Sequence, residues 1–294
     1  TKYRETAFKH KTERFKTEEE ALALSTKVST SPLRIVKIEE KKQSQPPPQL
    51  FDLTELQRTM NRLHSYSADN TLKIAQSLYE KKLISYPRSD SRYLTEDIYP
   101  QCKSTLELLK RDFAEIIAPL NLEKLTKNKR FFNDTKVSDH HAIIPTGLLP
   151  AQLATNERFV YNAITTRLIA AFYPNCEKAH TTVLGEAAEE VFKAKGTRIV
   201  TPGWLSLYKS EKQEKKDEEQ ILPTITLHEE GPHTPEHKKC QTKPPKHYNE
   251  SSLLSAMETA GKHIDDEELK EALKERGLGT PATRASIIET LLKR

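Results

Sequence analysis

At 294 residues the chain is too long for one ordinary core. With 35% hydrophobic and 30% charged residues it should carry much surface per unit of core, so two or three domains in an open, elongated molecule are expected. Its 47 Lys and Arg against 42 Asp and Glu leave a formal charge of +5, which permits nucleic-acid binding without demanding it. No apolar run is long enough to span a bilayer, and no signal-peptide pattern opens the chain, so a membrane protein is excluded and a cytoplasmic one expected. Cys102, Cys176 and Cys240 lie far apart, which fits reduced thiols and excludes a disulfide frame or a zinc ribbon. Because the sequence starts at Thr1 and stops at Arg294 inside a helical pattern, it reads as a piece of a longer polypeptide.

Residues 1–15 and Leu33 to Glu39 alternate as half-buried strands, and Thr17 to Glu20 forms a capping box for a short helix through Leu24. QSQPPPQ at Gln43 to Gln49 is an extended linker with a domain boundary near Pro46 to Pro48. Asp52, with Glu55, caps a helix carrying Leu53, Leu56, Met60 and Leu63; a second helix after Ser67 carries Leu72, Ala75, Leu78 and Tyr79. Two helices leading into an extended segment have the form of a helix-turn-helix or winged-helix core. A helix from Thr95 to Leu109 follows. In Lys127 to Phe132 basic residues stand beside two phenylalanines, a pattern that either stacks on bases or edges a loop. A helix from about Asn156 to Phe172 has Phe159, Val160, Ala163, Leu168 and Phe172 as its apolar stripe.

Short strands are expected at Thr181 to Leu184, Glu190 to Ala194, Thr197 to Val200 and Ile221 to Leu227, with a solvated loop at Leu205 to Glu219. Lys238 to Lys246 is a connector. Helices follow from Asn249 to about Ala260 and from Asp265 to Arg276, the second ended by Gly277; Thr280 caps a last helix with Pro281 at its first position.

The chemistry concentrates in KLISYPRSDSRYL, Lys82 to Leu94. Pro87 forces Tyr86 onto extended backbone, a rigid mount for a phenol, and Ser89, Asp90 and Ser91 start turns that should hold Arg88 beside its oxygen. A phenol with a pKa near ~10 is a poor nucleophile. A guanidinium at close range favours phenolate and bonds two phosphate oxygens at once. Alone, such a turn is usually structural.

Three stretches in order, KLISYPRSDSRYL, SDHHAIIPT at Ser138 to Thr146 and GLGTPATRASIIETL at Gly277 to Leu291, resemble the type IA DNA topoisomerases. The proline after the tyrosine, the paired histidines and the PATR string look most like the topoisomerase III branch. The resemblance implies an α+β fold: a β arch domain (1–45 and 177–240) interrupted by a winged-helix-like, mostly helical cleavage domain (50–176), then part of a helical single-strand DNA-binding domain (247–294).

It also implies that Tyr86 cleaves single-stranded DNA through a 5′-phosphotyrosyl ester, without ATP, and that a second strand passes before resealing. Arg88 and His140 would stabilise the pentacovalent phosphate, while Ser85, Asp90, Thr283 and Arg284 would contact the strand. His140 matches the family's histidine and His141 its variable place; adjacent histidines on extended chain point apart, so one faces the chemistry. Gln76 and Glu80 either face the site or are simply solvated.

Members carry a Toprim domain that holds Mg²⁺ and supplies a proton-transferring lysine. No Asp-x-Asp string stands in these residues, so metal ligands are expected elsewhere in the polypeptide, and these residues by themselves are expected to be inactive in relaxation. A monomer close to the bacterial nucleoid is expected. Two other classes stay open: a non-catalytic single-stranded DNA-binding scaffold, and a tyrosine recombinase, which uses a 3′ linkage and places its tyrosine after the Arg and His residues.

Overall fold

Alternating apolar residues from Leu33 onward build the sheet of the first of two units, made of residues 1–46 and 174–245; residues 47–173 and 246–294 make the second. The computed structural model describes residues 1–208, 222–263, 270, 271, 273 and 277–294. Among the described residues no helix is long and apolar enough to cross a membrane. The mixed α+β architecture is the expected class.

In the first unit the N-terminal stretch makes three two-residue strands rather than one long one, β1 (Lys2–Tyr3), β2 (Thr6–Ala7) and β3 (Lys9–His10). The turn at Arg4 and Glu5, both at positive φ, breaks the run. Thr17 Oγ1 accepts the Glu20 N–H, and the helix it opens, α1 (Glu18–Ser29), runs past Leu24 until Val28 is buried. β4 (Leu33–Gln45) pairs antiparallel with β5 (Cys176–Ala187) along its length, so half of the expected linker is strand and only the prolines interrupt it. β6 (Glu190–Thr201) returns from β5 through Ala188 and Glu189, both at positive φ, as a tight two-residue hairpin requires.

Of the strand expected at Ile221 to Leu227, Ile221 lies outside the described residues and 222–227 are irregular, with Pro223 unable to donate to a ladder. The edge strand is instead β7 (Glu230–Gly231). Sheet order is β3-β6-β5-β4-β7. Its inner face gathers Tyr3, Phe8, Val28, Leu33, Ile35, Val183, Phe192 and Ala194. Of the loop expected at Leu205 to Glu219, Leu205 to Tyr208 belong to a 3-10 turn and 209–219 lie outside the described residues.

The second unit opens with α2 (Leu53–His64) and α3 (Ala68–Glu80), capped by Asp52 and Ser67. Leu53, Leu56 and Met60 are buried, but Leu63 is 58% exposed because the stripe ends before the last turn. A 3-10 turn precedes α4 (Tyr99–Ile117), which starts later and ends later than expected. Phe131 and Phe132 are buried in the core with Leu50, Leu94, Cys102 and Leu168, so they have no free faces for stacking on bases. In α5 (Thr155–Ala170), Val160 and Leu168 are buried while Phe159 faces outward. α6 (Glu250–Glu258) and α7 (Pro281–Lys293) pack Leu254, Met257, Ala285 and Ile288 with Ala68 of α3. Residues 246–294 therefore share a unit with 47–173. The helix expected at Asp265 to Arg276 falls largely outside the described residues.

Candidate active site

The tyrosine segment leaves α3 through a left-handed Lys82, at φ 59°. Lys81, the residue before it, is held by Glu157 at 2.6 Å, and Ser77 donates to the same carboxylate at 2.7 Å. The Lys81 and Ser77 hydrogen bonds hold Glu157 below the usual carboxylate range.

Residues 83–85 then run against 142–146. Ser85 N–H donates to Ile144 O at 2.8 Å and Thr146 N–H to Leu83 O at 3.1 Å. The Ser85 hydroxyl closes the clamp, donating to Ala142 O at 3.1 Å and accepting Ile144 N–H at 2.9 Å. Past the tyrosine a second clamp forms. Ser89, 1% exposed, donates to His140 O at 3.0 Å and accepts Ser91 N–H at 3.1 Å, while Ser89 O accepts Leu53 N–H at 3.0 Å. Asp90 Oδ1 accepts from Ser138 at 3.3 Å, and Ser91 donates to Lys136 O at 3.0 Å. Backbone is thus fixed on both sides of Tyr86.

Between the clamps the side chains are unspent. The Tyr86 ring lies 4.3 Å from the His140 ring at 41°, with Tyr79 edge-on at 5.6 Å. Tyr86 is half-buried, and no described residue hydrogen-bonds its hydroxyl. Tyr86 lines a pocket of about 320 Å³ with Thr95, Asp97, Val137 to Asp139 and both histidines. His140 is exposed; His141 is half-buried, its Nδ1 donating to Ala142 O at 2.8 Å.

Both histidines contribute to the pocket lining, but it is the His140 ring that packs on Tyr86, while His141 is half-buried and bonded to Ala142 O. Arg88 departs from expectation: it is exposed, and no hydrogen bond or ion pair ties it to a described residue. The ring packed against the phenol is that of His140. A solvated guanidinium one residue beyond Pro87 leaves its donors free of the protein.

The remaining expected contacts divide. Ser85 is occupied by its clamp. Asp90 is exposed near the pocket rim. Thr283 spends its hydroxyl on the Thr280 N–H, at 2.9 Å. Arg284 is 4% exposed, with Nε on Leu278 O and Nη1 on Thr54 Oγ1, each at 3.0 Å, and burial pulls its pKa down. An arginine expected to hold a strand is instead built into the fold. Gln76 and Glu80 bond each other at 3.2 Å and neither lines the pocket. Among the described residues no three His, Cys, Asp or Glu gather to hold a metal ion. Ser89, which seats His140, was visible in the sequence only as a turn former; its partner lies 51 residues on.

The sequence matches the family described as DNA topoisomerase over residues 1–294. It is 40% identical over 255 residues to DNA topoisomerase 3 of Bacillus subtilis, covering 83% of this chain and 35% of that protein. Against DNA topoisomerase 3 of Vibrio cholerae it is 36% identical over 279 residues, covering 92% and 42%. Full-length topoisomerase I from Thermotoga maritima superimposes with a TM-score of 0.68 at 21% identity, over 98% of this chain and 44% of that one, a likeness of fold. The chain therefore spans less than half the length of the relatives it matches. Motif order, fold and these relatives agree that the chain belongs to the type IA DNA topoisomerase family.

Proposed function

We propose that this chain carries the strand-cleaving centre of the enzyme and that Tyr86 is its nucleophile. The observation that carries the reading is a half-buried tyrosine, clamped on either side at Ser85 and Ser89, that lines a pocket beside His140 while no described residue hydrogen-bonds its hydroxyl. Tyr86 Oη attacks a phosphorus of single-stranded DNA. The P–O3′ bond breaks, the phenolic proton is lost, and the 3′ oxygen leaves as a hydroxyl, with the 5′ phosphate esterified to the tyrosine. The reverse exchange reseals the strand after another has passed. One ester replaces another, so relaxation or decatenation needs no ATP. Arg88 and His140 supply donors for the charge that grows on the non-bridging oxygens.

Magnesium, implied for a Toprim domain, finds no fitting donor set among the described residues, and no step here is routed through it. The test is covalent trapping of labelled single-stranded oligonucleotide by the full-length protein with Mg²⁺. An adduct retaining the 5′ phosphate and lost in Tyr86→Phe supports the reading. Attachment through a 3′ phosphate would favour a recombinase, and no adduct with intact binding would favour a scaffold.

A further inference from the structure

Six residues beyond Tyr86 the chain spends an arginine on something other than DNA. Arg92 Nε donates to Asp52 Oδ2 at 2.5 Å and its Nη2 to Glu258 Oε1 at 2.8 Å. Asp52 is 4% exposed, and its other oxygen caps α2 through the Glu55 N–H at 2.6 Å. Glu258 also stands 3.7 Å from Arg58, which lies 3.1 Å from Glu55. Burial pushes the Asp52 carboxyl up, and Arg92 pulls against it.

The cluster touches both the loop that carries Tyr86 and the turn at Gly277. On one side, Leu53, next to Asp52, holds Ser89 O, and Ser89 holds His140 O. On the other, Leu278 N–H donates to Met257 O at 2.7 Å, one residue before Glu258. Gly277, at φ 64°, packs so closely that a Cβ there would stand 2.6 Å from Glu258 O. A single planar guanidinium thus spans the tyrosine loop, the start of α2 and the end of α6, in a bridging geometry that a lysine ammonium does not reproduce.

We propose that Arg92 is a positioning residue for Tyr86, bridging Asp52 and Glu258 so that the loop carrying the nucleophile is fixed against α2 and the turn after residue 276. The proposal rests on Tyr86 being the nucleophile. An in-line ester exchange tolerates little displacement: a shift of about 1 Å can cost about a hundredfold in rate. Arg92 and Glu258 keep 29% and 30% of their side chains exposed, where ion pairs add little stability, so a role in geometry predicts a different signature from a role in folding.

The experiment compares Arg92→Lys, Arg92→Met and Glu258→Gln in the full-length protein. Single-turnover adduct formation is measured at saturating labelled oligonucleotide, and binding of the same oligonucleotide is measured with each change placed on Tyr86→Phe. The cleavage rate is expected to fall by about tenfold or more with affinity little changed, and Arg92→Lys, which keeps one ion pair, should retain part of the rate. An unchanged rate, an affinity that falls in step with the rate, or a rate loss matching the unfolded fraction in a thermal melt overturns the proposal. If Arg92→Met does not fold, Glu258→Gln decides, since that side chain is 30% exposed. An unmodified protein that forms no adduct removes the nucleophile assignment and this proposal together; a normal adduct with Glu258→Gln unaffected removes only this one.

Discussion

Two of the three motif stretches in the second unit use their polar side chains in opposite ways. Around Tyr86 the fold is stitched by backbone groups and by Ser85 and Ser89, leaving Tyr86, Arg88 and His140 without internal hydrogen-bond obligations through their reactive atoms. Around Gly277 to Arg284 the motif's own side chains do the stitching, with Arg284 buried against Thr54 and Leu278 O and Thr283 bonded to Thr280. A motif residue whose donors are free of the protein can act on a substrate. One whose donors are satisfied internally serves the fold, whatever its charge suggests.

The contrast is sharpest for the two arginines. Arg88→Ala should lower cleavage by about a hundredfold, because it removes a donor to the developing phosphate charge. The same change should move stability by less than about 0.5 kcal/mol, as for other exposed and unpaired side chains. Single-turnover trapping beside a denaturant titration reads both, and a large loss of stability would break the comparison. Arg284→Ala should do the reverse, costing about 2–3 kcal/mol in the same titration, since charge-assisted bonds to Leu278 O and Thr54 are lost in a buried place. An Arg284→Ala protein of normal stability with weakened oligonucleotide binding would return this arginine to the DNA.

Ser85→Ala should cost about 1–2 kcal/mol, because Ala142 O loses a donor and Ile144 N–H its acceptor. Cleavage should fall with it as the Tyr86 mount loosens, whereas loss of DNA affinity at full stability would give Ser85 the contact role instead.

The smallest effect concerns acid. Glu157 is held below the usual carboxylate range by Lys81 and Ser77, so its pKa in the folded protein is lower than in the unfolded chain. Its contribution is fully present above the unfolded value near ~4.3 and is lost as pH falls through the lower folded value. Glu157→Gln should therefore destabilise by about 1 kcal/mol at pH 7 and flatten the acid limb of the stability profile; a profile parallel to that of the unaltered protein would count against it.

Much of this was legible because it is local. Thr17 and Asp52 cap the helices they are expected to cap, and Ser67 and Asn249 cap the helices expected to begin at them, since a side-chain oxygen three residues before an N–H needs nothing distant. Pro46 to Pro48 end β4, as residues without an N–H must. Exposure was read less well: Leu63 and Phe159 fit apolar stripes yet face solvent, and Phe131 and Phe132 look like a basic loop edge yet fill a core. Periodicity marks a helix face without saying whether a neighbour covers its ends.

By itself the sequence determined most helices and their caps, the proline break and the order Tyr86, His140, Gly277 that identifies the family. Tertiary structure alone decided which polar groups remain available. Ser85 meets Ala142 57 residues away, Arg92 meets Glu258 at 166 and Arg284 meets Thr54 at 230. Short-range backbone rules do not reach such separations; there, burial selects the partners, because a polar group taken from water must find one.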